Sequence, residues 1–384
     1  MSRVDTRRAA VTGGRVVTPD GVLEGGVRIE GDRIAAVGDV ETGDTGTVVD
    51  ARGRYVLPGL VDLHGDDIES HLFPRSGARV STEMALASAD RSNAAAGITT
   101  KFHAVSFERD EESDRSPELG ADLSAAITGT DDLVVDHRLH ARCEVTQEAC
   151  VAAVLDIVDR GQADLVSVMS HVPGKGQFRD TEAFLEYYRE STDHSVEKAR
   201  QRLERRGEVS MATLRERVDR VLRAAHEAGV VTASHDDEDP AEVERLSGAG
   251  VDISEYPITL ETARRAQAVG MVTAMGAPNL VRGESQWGNL RTETAIEAGA
   301  VDALVADYHP MSLLGAVFVD TGESLPRRVA RATAAPAAAA GLVDRGRIES
   351  GARADLIVVD PSPTPTVTRA FVAGRPVYRA EGSP

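Results

Sequence analysis

Cysteines and long apolar segments are scarce in this sequence, and each scarcity excludes a class of protein. Cys143 and Cys150 are the only cysteines, so a disulfide-stabilised scaffold is not expected. No run of about 18 apolar residues occurs, which excludes a membrane-spanning helix. The first residues also lack the apolar core of a signal peptide. The sequence therefore predicts a cytoplasmic protein that makes no membrane contact.

Lysine is also scarce, and acidic residues outnumber the basic ones, most of which are arginines. The 384 residues carry a net charge of -19, and only Lys101, Lys175 and Lys198 are lysines. The acidic residues are spread along the chain, which argues against non-specific binding to nucleic acid. An acidic surface with few lysines suits a protein that stays soluble in high salt. A GC-rich genome gives a similar composition, so both explanations stay open.

Strand-like and helix-like segments alternate through the middle of the chain. The strand-like segments are residues 55–67, 97–105, 138–145, 163–171, 229–237, 250–257, 270–279 and 301–309. Alternation of this kind, counted to eight strands, predicts an α/β protein with a (β/α)8 TIM-like barrel. A barrel of about 250 residues leaves part of this chain for an accessory domain.

The two ends of the chain have a different texture from the middle. Residues 8–52 and 354–378 contain short strand-like runs, and Gly/Asp turns separate those of the first segment. We predict a small β-sandwich domain from residues 1–54 and 345–384, and a barrel from residues 55–344. A helical insertion at about 173–228 is a lid over the site, a solvated helical excursion or a contact with another subunit.

Histidine and carboxylate residues recur where the predicted strands end. These residues are His64, Asp66, Glu144, His171, His235 and Asp307. Strand ends of an α/β barrel carry its active site, and a mixture of imidazole and carboxylate suits Zn, Mn, Fe or Ni. One or two such ions can activate water at neutral pH, with Asp307 as the expected proton acceptor. Glu255 also ends a strand, and its role stays open between a ligand, a partner of a ligand and neither.

Several motifs together resemble the amidohydrolase superfamily over nearly the whole chain, and its phosphonate-metabolism branch in particular. They are YVLPGLVDLHGDD at 55–67 followed by Pro74-Arg75, HRLHARCE at 137–144, HVPGKGQF at 171–178, ASHDD at 233–237, MGAPNLVRG at 275–283, DYHP at 307–310 and GRIESGARADLIVVD at 346–360. The resemblance implies a metal-dependent hydrolase that releases pyrophosphate from a ribose 5-triphosphate bearing a methylphosphonate at C1. It also implies that His64, Asp66, Glu144, His171, His235 and Asp307 are the metal ligands.

Such a substrate needs cations and polar groups in the pocket. Arg75, Arg142 and Arg282 are the candidates for binding the triphosphate, because a guanidinium matches phosphate geometry. Asn279 and Asn289 are candidates for binding substrate oxygens. Surface arginines and ordinary loop turns are the competing explanations for these residues.

The sequence departs from the family pattern on the substrate side. Residues 284–289 read ESQWGN where the family has GSHSGN, so Glu284 replaces a glycine and Gln286 a histidine. Gly65 and Asp67 replace a threonine and an asparagine, and residues 76–80 lack the usual proline and tryptophan. These changes keep open an alternative, which is hydrolysis of a C–N bond in a cyclic amide or acylated amine. A non-catalytic barrel subunit that binds no metal is a further alternative.

Overall fold

The computed structural model describes residues 8–43, 45–75, 77–110, 114–172, 196–285 and 288–380. Within them, the strands in chain order are β1 Arg8–Thr18, β2 Gly21–Glu30, β3 Arg33–Gly38, β4 Thr47–Asp50, β5 Tyr55–Pro58, β6 Leu60–Gly65, β7 Ile98–Ser106, β8 Asp136–Glu144, β9 Leu165–Met169, β10 Val231–His235, β11 Ile253–Glu255, β12 Val272–Gly276, β13 Ala303–Val305, β14 Leu356–Asp360, β15 Thr366–Val372 and β16 Arg375–Arg379. They form two sheets.

The central sheet is the predicted barrel. Strands β6 to β13 lie side by side in chain order, and neighbouring strands pair in parallel. A parallel bridge between Gly65 and Asp307 closes the ring. There, the Asp307 amide donates to the His64 carbonyl oxygen at 2.9 Å, and the Asp66 amide donates to the Asp307 carbonyl oxygen at 2.8 Å. The (β/α)8 prediction is confirmed, and all eight strands overlap the predicted segments, although β7 ends one residue later and β8 begins two residues earlier than predicted.

The second sheet combines strands from both ends of the chain, as predicted for the small β-domain. Its order is β16-β15-β14-β5-β1-β2-β3, with β4 paired to β1. Most pairs are antiparallel, but β1 pairs in parallel with β4 and β5. The N-terminal strands are therefore held by C-terminal strands through β5 and β14.

The apolar run that precedes His64 is predicted as one strand, but the structure divides it at Gly59. Strand β5 pairs with β14, whereas β6 pairs with β7. A Cβ atom at position 59 would lie 2.1 Å from Thr99 Oγ1, so only glycine fits where the chain passes between the sheets. The small sheet thus extends past residue 54, and the predicted domain limits stay a prediction.

Helices cover the barrel on its outside. Within the described residues they are α1 Ile68–Leu72, α2 Thr82–Ala96, α3 Pro117–Gly129, α4 Glu148–Asp159, α5 Val196–Gly207, α6 Met211–Glu227, α7 Pro240–Gly248, α8 Leu260–Ala268, α9 Ala277–Arg282, α10 Thr292–Glu297, α11 Met311–Phe318, α12 Leu325–Arg331 and α13 Ala334–Ala339. Side-chain caps that accept a backbone amide proton begin five of them. The caps are Ser81, Ser116, Ser210, Asp239 and Thr259.

The predicted insertion contains one ordinary barrel helix. Helix α6 buries Leu214, Val218 and Val221 and lies between β9 and β10 in the chain, where the barrel pattern requires a helix. Residues 173–195 lie outside the described residues, so the lid stays a prediction. No described helix is both long and apolar enough to cross a bilayer.

Candidate metal centre

The carboxyl ends of the barrel strands bring the predicted residues to one rim. His64 lies at the end of β6, Glu144 ends β8, His235 ends β10 and Glu255 ends β11. Asp307 lies two residues after β13. Parallel strands place their carboxyl ends on the same side of a barrel, which explains why residues so far apart in sequence meet.

His64, His235 and Glu255 form the tightest group, hereafter the trio. Glu255 Oε2 lies 3.2 Å from His64 Nδ1 and 3.4 Å from His235 Nδ1. Each residue offers one ligand atom within 4.8 Å of the other two. The imidazole rings are stacked, with 5.3 Å between their centroids. The sequence left the role of Glu255 open, and the structure places its carboxylate between the two imidazoles.

The electrostatics of the trio suit a divalent ion. Burial lowers the pKa of His64 to about 3 and that of His235 to about 4, so both imidazoles are neutral and keep a lone pair. Glu255 is fully buried, and its Oε1 has no hydrogen-bond partner within the described residues. A buried carboxylate oxygen without a hydrogen-bond partner destabilises the folded protein unless a cation compensates its charge. The donor set therefore fits a transition-metal ion.

His140 packs against the trio through His64. Its Nδ1 lies 2.9 Å from the Leu63 carbonyl oxygen, and its Nε2 lies 2.8 Å from Ser167 Oγ. Since a carbonyl oxygen only accepts, Nδ1 carries the proton and Nε2 accepts from the serine. The ring packs edge-on against His64 with 5.0 Å between centroids. His140 thus limits how far the His64 ring can turn.

Asp307 combines an unusual backbone with a perturbed carboxyl group. Its φ is 56°, and Asp236 and Tyr256 at neighbouring strand ends are also left-handed, with φ of 58° and 53°. Non-glycine residues in this region are strained, and such residues cluster at functional sites. Burial, followed by the negative charge of Asp66, raises the pKa of Asp307 to about 7. The carboxyl group can therefore exchange a proton near neutral pH.

Asp66 is not part of the trio, although the sequence predicts it as a ligand. Its Oδ2 accepts from Arg142 Nη1 at 3.0 Å, and its Oδ1 lies 3.6 Å from Arg115 Nη2. Burial would raise the pKa of Asp66, but the charges of Arg142 and Arg115 outweigh it and lower the pKa. The negative charge of Asp66 is thus already matched by two guanidinium groups.

Glu144 and His171 form a second pair beside the trio. His171 Nδ1 lies 2.6 Å from Glu144 Oε2, and Thr146 Oγ1 donates to Glu144 Oε1 at 2.6 Å. Burial would raise the pKa of Glu144, but the hydrogen bond from His171 brings it down to about 2. The His171 ring centroid lies 6.4 Å from that of His235. The pair therefore borders the trio without joining its tightest cluster.

A cavity of about 300 Å³ opens over His64, His235 and Asp307. Of the predicted substrate residues, Arg142, Asn279, Arg282 and Asn289 line it. Arg75 is exposed on the loop after α1 and is not among the residues that line it. The volume lies at the lower end of the range for small-molecule sites, roughly 300–1,000 Å³.

Two features of the cavity wall bear on the departures seen in the sequence. Arg282 Nη2 donates to Glu284 Oε1 at 3.0 Å, so the acidic replacement reduces the positive charge at the rim. Gln286 and Trp287 lie outside the described residues.

Arg115 lines the cavity as well, and the sequence offered no signal for it because it lies nine residues after the end of β7 rather than at a strand end.

Comparisons with known proteins give relatives of several kinds. No family model matches the chain. The chain is 33% identical to α-D-ribose 1-methylphosphonate 5-triphosphate diphosphatase of Escherichia coli (strain K12), over 90% of this chain and 93% of that protein. It is 28% identical to 5-methylthioadenosine/S-adenosylhomocysteine deaminase of Halobacterium salinarum, over 93% of this chain and 84% of that one. A crystal structure of D-hydantoinase shares its fold with a TM-score of 0.64 at 14% identity, over 97% of this chain and 95% of that one.

Proposed function

This chain belongs to the amidohydrolase superfamily, and on that premise we propose that it is a metal-dependent diphosphatase. The proposed reaction releases pyrophosphate from α-D-ribose 1-methylphosphonate 5-triphosphate in the carbon–phosphorus lyase pathway of phosphonate degradation. The identity of 33% over 90% of the chain supports this substrate. The structural observation that carries the proposal is a buried guanidinium group, that of Arg142, beside the trio.

Arg142 has hydrogen-bond donors to spare. Its Nη1 donates to Asp66, but its Nη2 reaches only the Met169 sulfur at 3.8 Å, and its Nε has no partner within the described residues. The residue is 7% exposed and lines the cavity. A desolvated guanidinium with unused donors gains most from an anionic ligand such as a phosphate oxygen. A neutral amide substrate could accept from these donors only through an uncharged oxygen, which makes the weaker hydrogen bond.

The proposed metal site consists of His64, His235 and Glu255, with Asp307 beside them. Zinc is the first expectation, with manganese, iron or nickel as alternatives, because imidazole and carboxylate serve all four. One or two divalent ions here would polarise the phosphoryl group under attack and lower the pKa of a water molecule. Glu144, His171 and Asp66 are the candidates for a second ion.

Asp307 is the proposed proton acceptor. It lies in the cavity wall, and its pKa of about 7 lets it take up and release a proton near neutral pH. In the proposed reaction it takes the proton that the attacking water loses. Its backbone is fixed by hydrogen bonds to residues 64 and 66, so the carboxyl group is positioned before substrate arrives.

The remaining substrate contacts are assigned from the cavity wall. Asn279, Arg282 and Asn289 line the side formed by α9 and the loop after it. They are the proposed contacts for the sugar and the distal phosphate. Arg75 stays a prediction, since it is exposed and is not among the described residues that line the cavity.

The test is an Arg142→Met variant assayed for pyrophosphate release from the ribose triphosphate. Removal of a single positioned donor from a reacting oxyanion typically costs about 10²–10³-fold in rate, so a loss of that size in kcat/KM is expected. Metal content should stay that of the wild type. An Arg142→Lys variant should recover part of the activity because it restores the charge without the fork of donors.

An arginine on the outer surface gives the matched control. Arg160, on the surface after α4, is 58% exposed and pairs with Asp156. Arg160→Met should leave pyrophosphate release unchanged. Equal activity of Arg142→Met and wild type would contradict the proposal.

Hydrolysis of a C–N bond is the second candidate. The ion pair between Glu284 and Arg282 favours it, since this pair lowers the positive charge available to a triphosphate at the rim. Release of ammonia or acid from amide substrates, with no pyrophosphate from triphosphates, would favour this candidate. A protein that binds no metal under metal-replete conditions would favour the non-catalytic barrel.

A further inference from the structure

Lys101 is buried completely next to the turn that carries His64 and Asp66. It lies on β7, and its side chain has no exposed surface. Its Nζ lies 2.8 Å from Asp62 Oδ2 and 2.7 Å from Asp67 Oδ1. Both carboxylates are also buried, so the ammonium group neutralises charge where water cannot.

Asp62 connects this ammonium group to the backbone of the barrel seam. Its Oδ1 accepts hydrogen bonds from the His64 amide at 3.2 Å and from the Ala306 amide at 2.9 Å. Ala306 directly precedes Asp307, which bonds back to the His64 carbonyl oxygen. A shift of the Asp62 carboxylate would therefore move residues on both sides of the trio.

Asp67 anchors the other end of the same turn. It stands at the N-cap position of α1, yet its side chain makes no capping hydrogen bond. Its carboxylate faces Lys101 instead. The turn from His64 to α1 is thus held at both ends by one lysine.

Gly65 shows that the turn and the lysine are fitted to each other. A Cβ atom at position 65 would lie 1.9 Å from both Cε and Nζ of Lys101. The backbone of Gly65 is not left-handed, so the space taken by Lys101, rather than backbone conformation, requires the glycine. Any side chain there would push Lys101 away from its two carboxylates.

We propose that Asp62, Gly65, Asp67 and Lys101 form one positioning unit, the Lys101 cluster, which sets the place of His64 and thereby the affinity of the trio for its metal ion. This inference rests on the metal site proposed above. The cluster also gives a single explanation for two departures noted in the sequence. Gly65 leaves room for Lys101, and Asp67 supplies its second counter-charge.

The test measures the metal dissociation constant by competition with a chelator, in a set of coupled variants. Lys101→Met leaves two buried carboxylates without their cation and should raise the dissociation constant about 10–100-fold, the usual effect of altering groups that orient metal ligands. Asp67→Asn in the same chain should recover part of that loss. Gly65→Ala should weaken metal binding in the wild-type background but not in a Lys101→Ala background.

Two further measurements separate positioning from general stability. The melting temperature of the metal-free protein reports on folding alone. Arg345→Met is the matched control, because Arg345 is also a buried cation, pairs with Asp136 and lies at the opposite end of the barrel strands. It should lower the melting temperature and leave the metal dissociation constant unchanged.

The outcomes separate this inference from the proposed function. If the wild type binds metal and Lys101→Met has the same metal dissociation constant, this inference is overturned and the proposed function stands. If Lys101→Met does not fold, Asp67→Asn by itself should still weaken metal binding, and failure to do so would count equally against the cluster. Wild type without metal would overturn the proposed function and this inference with it.

Discussion

Replacement of Asp307 by asparagine should make the metal-free protein more stable while it abolishes catalysis. Burial and the charge of Asp66 raise the pKa of this carboxyl group from an ordinary value of 3.8 to about 7. The folded protein therefore binds a proton there that the unfolded chain has already released. Ionising the buried group costs folding free energy, and that cost is fully present above pH 7.

The size of the effect follows from the pKa difference. A change from 3.8 to about 7 corresponds to about 4 kcal/mol of destabilisation above pH 7, which shrinks as the pH falls towards 4. Asparagine has nearly the same shape and no charge, so Asp307→Asn should recover most of this amount at pH 8. The backbone bonds that close the barrel at residue 307 do not depend on the side chain.

Chemical denaturation of chelator-treated protein at pH 8 and pH 6 is the assay. The advantage of Asp307→Asn over wild type should be larger at pH 8 than at pH 6. Asp131→Asn, an exposed carboxylate replaced in the same way, should change neither value. A variant that is no more stable than wild type at pH 8, or whose advantage is the same at both pH values, would refute the reasoning.

Three other predictions concern the metal site and the cavity wall. Glu255→Gln should lower bound metal at least about tenfold, because it removes the carboxylate between the two imidazoles; elemental analysis checks this, and full occupancy would contradict it. Glu284→Gln should release Arg282 and lower the KM for a triphosphate with kcat unchanged, whereas an unchanged KM would show that the pair does not face substrate. Arg115→Met should raise the KM for the triphosphate and make that KM depend less on KCl concentration than in the wild type, because it removes a cation from the cavity; an unchanged KM would contradict this.

The barrel and two of the three trio residues could be predicted from the sequence, because polar residues at the strand ends repeat a simple pattern. His64, His235 and Asp307 each follow an apolar, strand-like run, and parallel strands bring such positions together. The small β-domain was predictable for a similar reason, since Gly/Asp turns separate the short strands at the N-terminal end. Four of the five predicted substrate residues also line the cavity, namely Arg142, Asn279, Arg282 and Asn289.

The rest depended on contacts between distant residues. Asp66 stays a candidate for the second ion, but its contacts with Arg142 and Arg115, which approach from other segments, could not be predicted from the sequence. Glu255 could not be distinguished from an ordinary strand-end acid until its Oε2 was seen between two imidazoles. Lys101 could not be identified from the sequence, because the order of the residues does not show that its side chain occupies the space beside Gly65.

Metal content is the measurement that tests the central claim most directly. Elemental analysis would compare wild type with a His64→Ala, Glu255→Ala double variant, both prepared with added metal and both assayed for pyrophosphate release. The trio predicts about one to two transition-metal ions per chain in the wild type, and loss of metal together with activity in the variant. Wild type without metal, or a variant that retains both metal and activity, would contradict the claim.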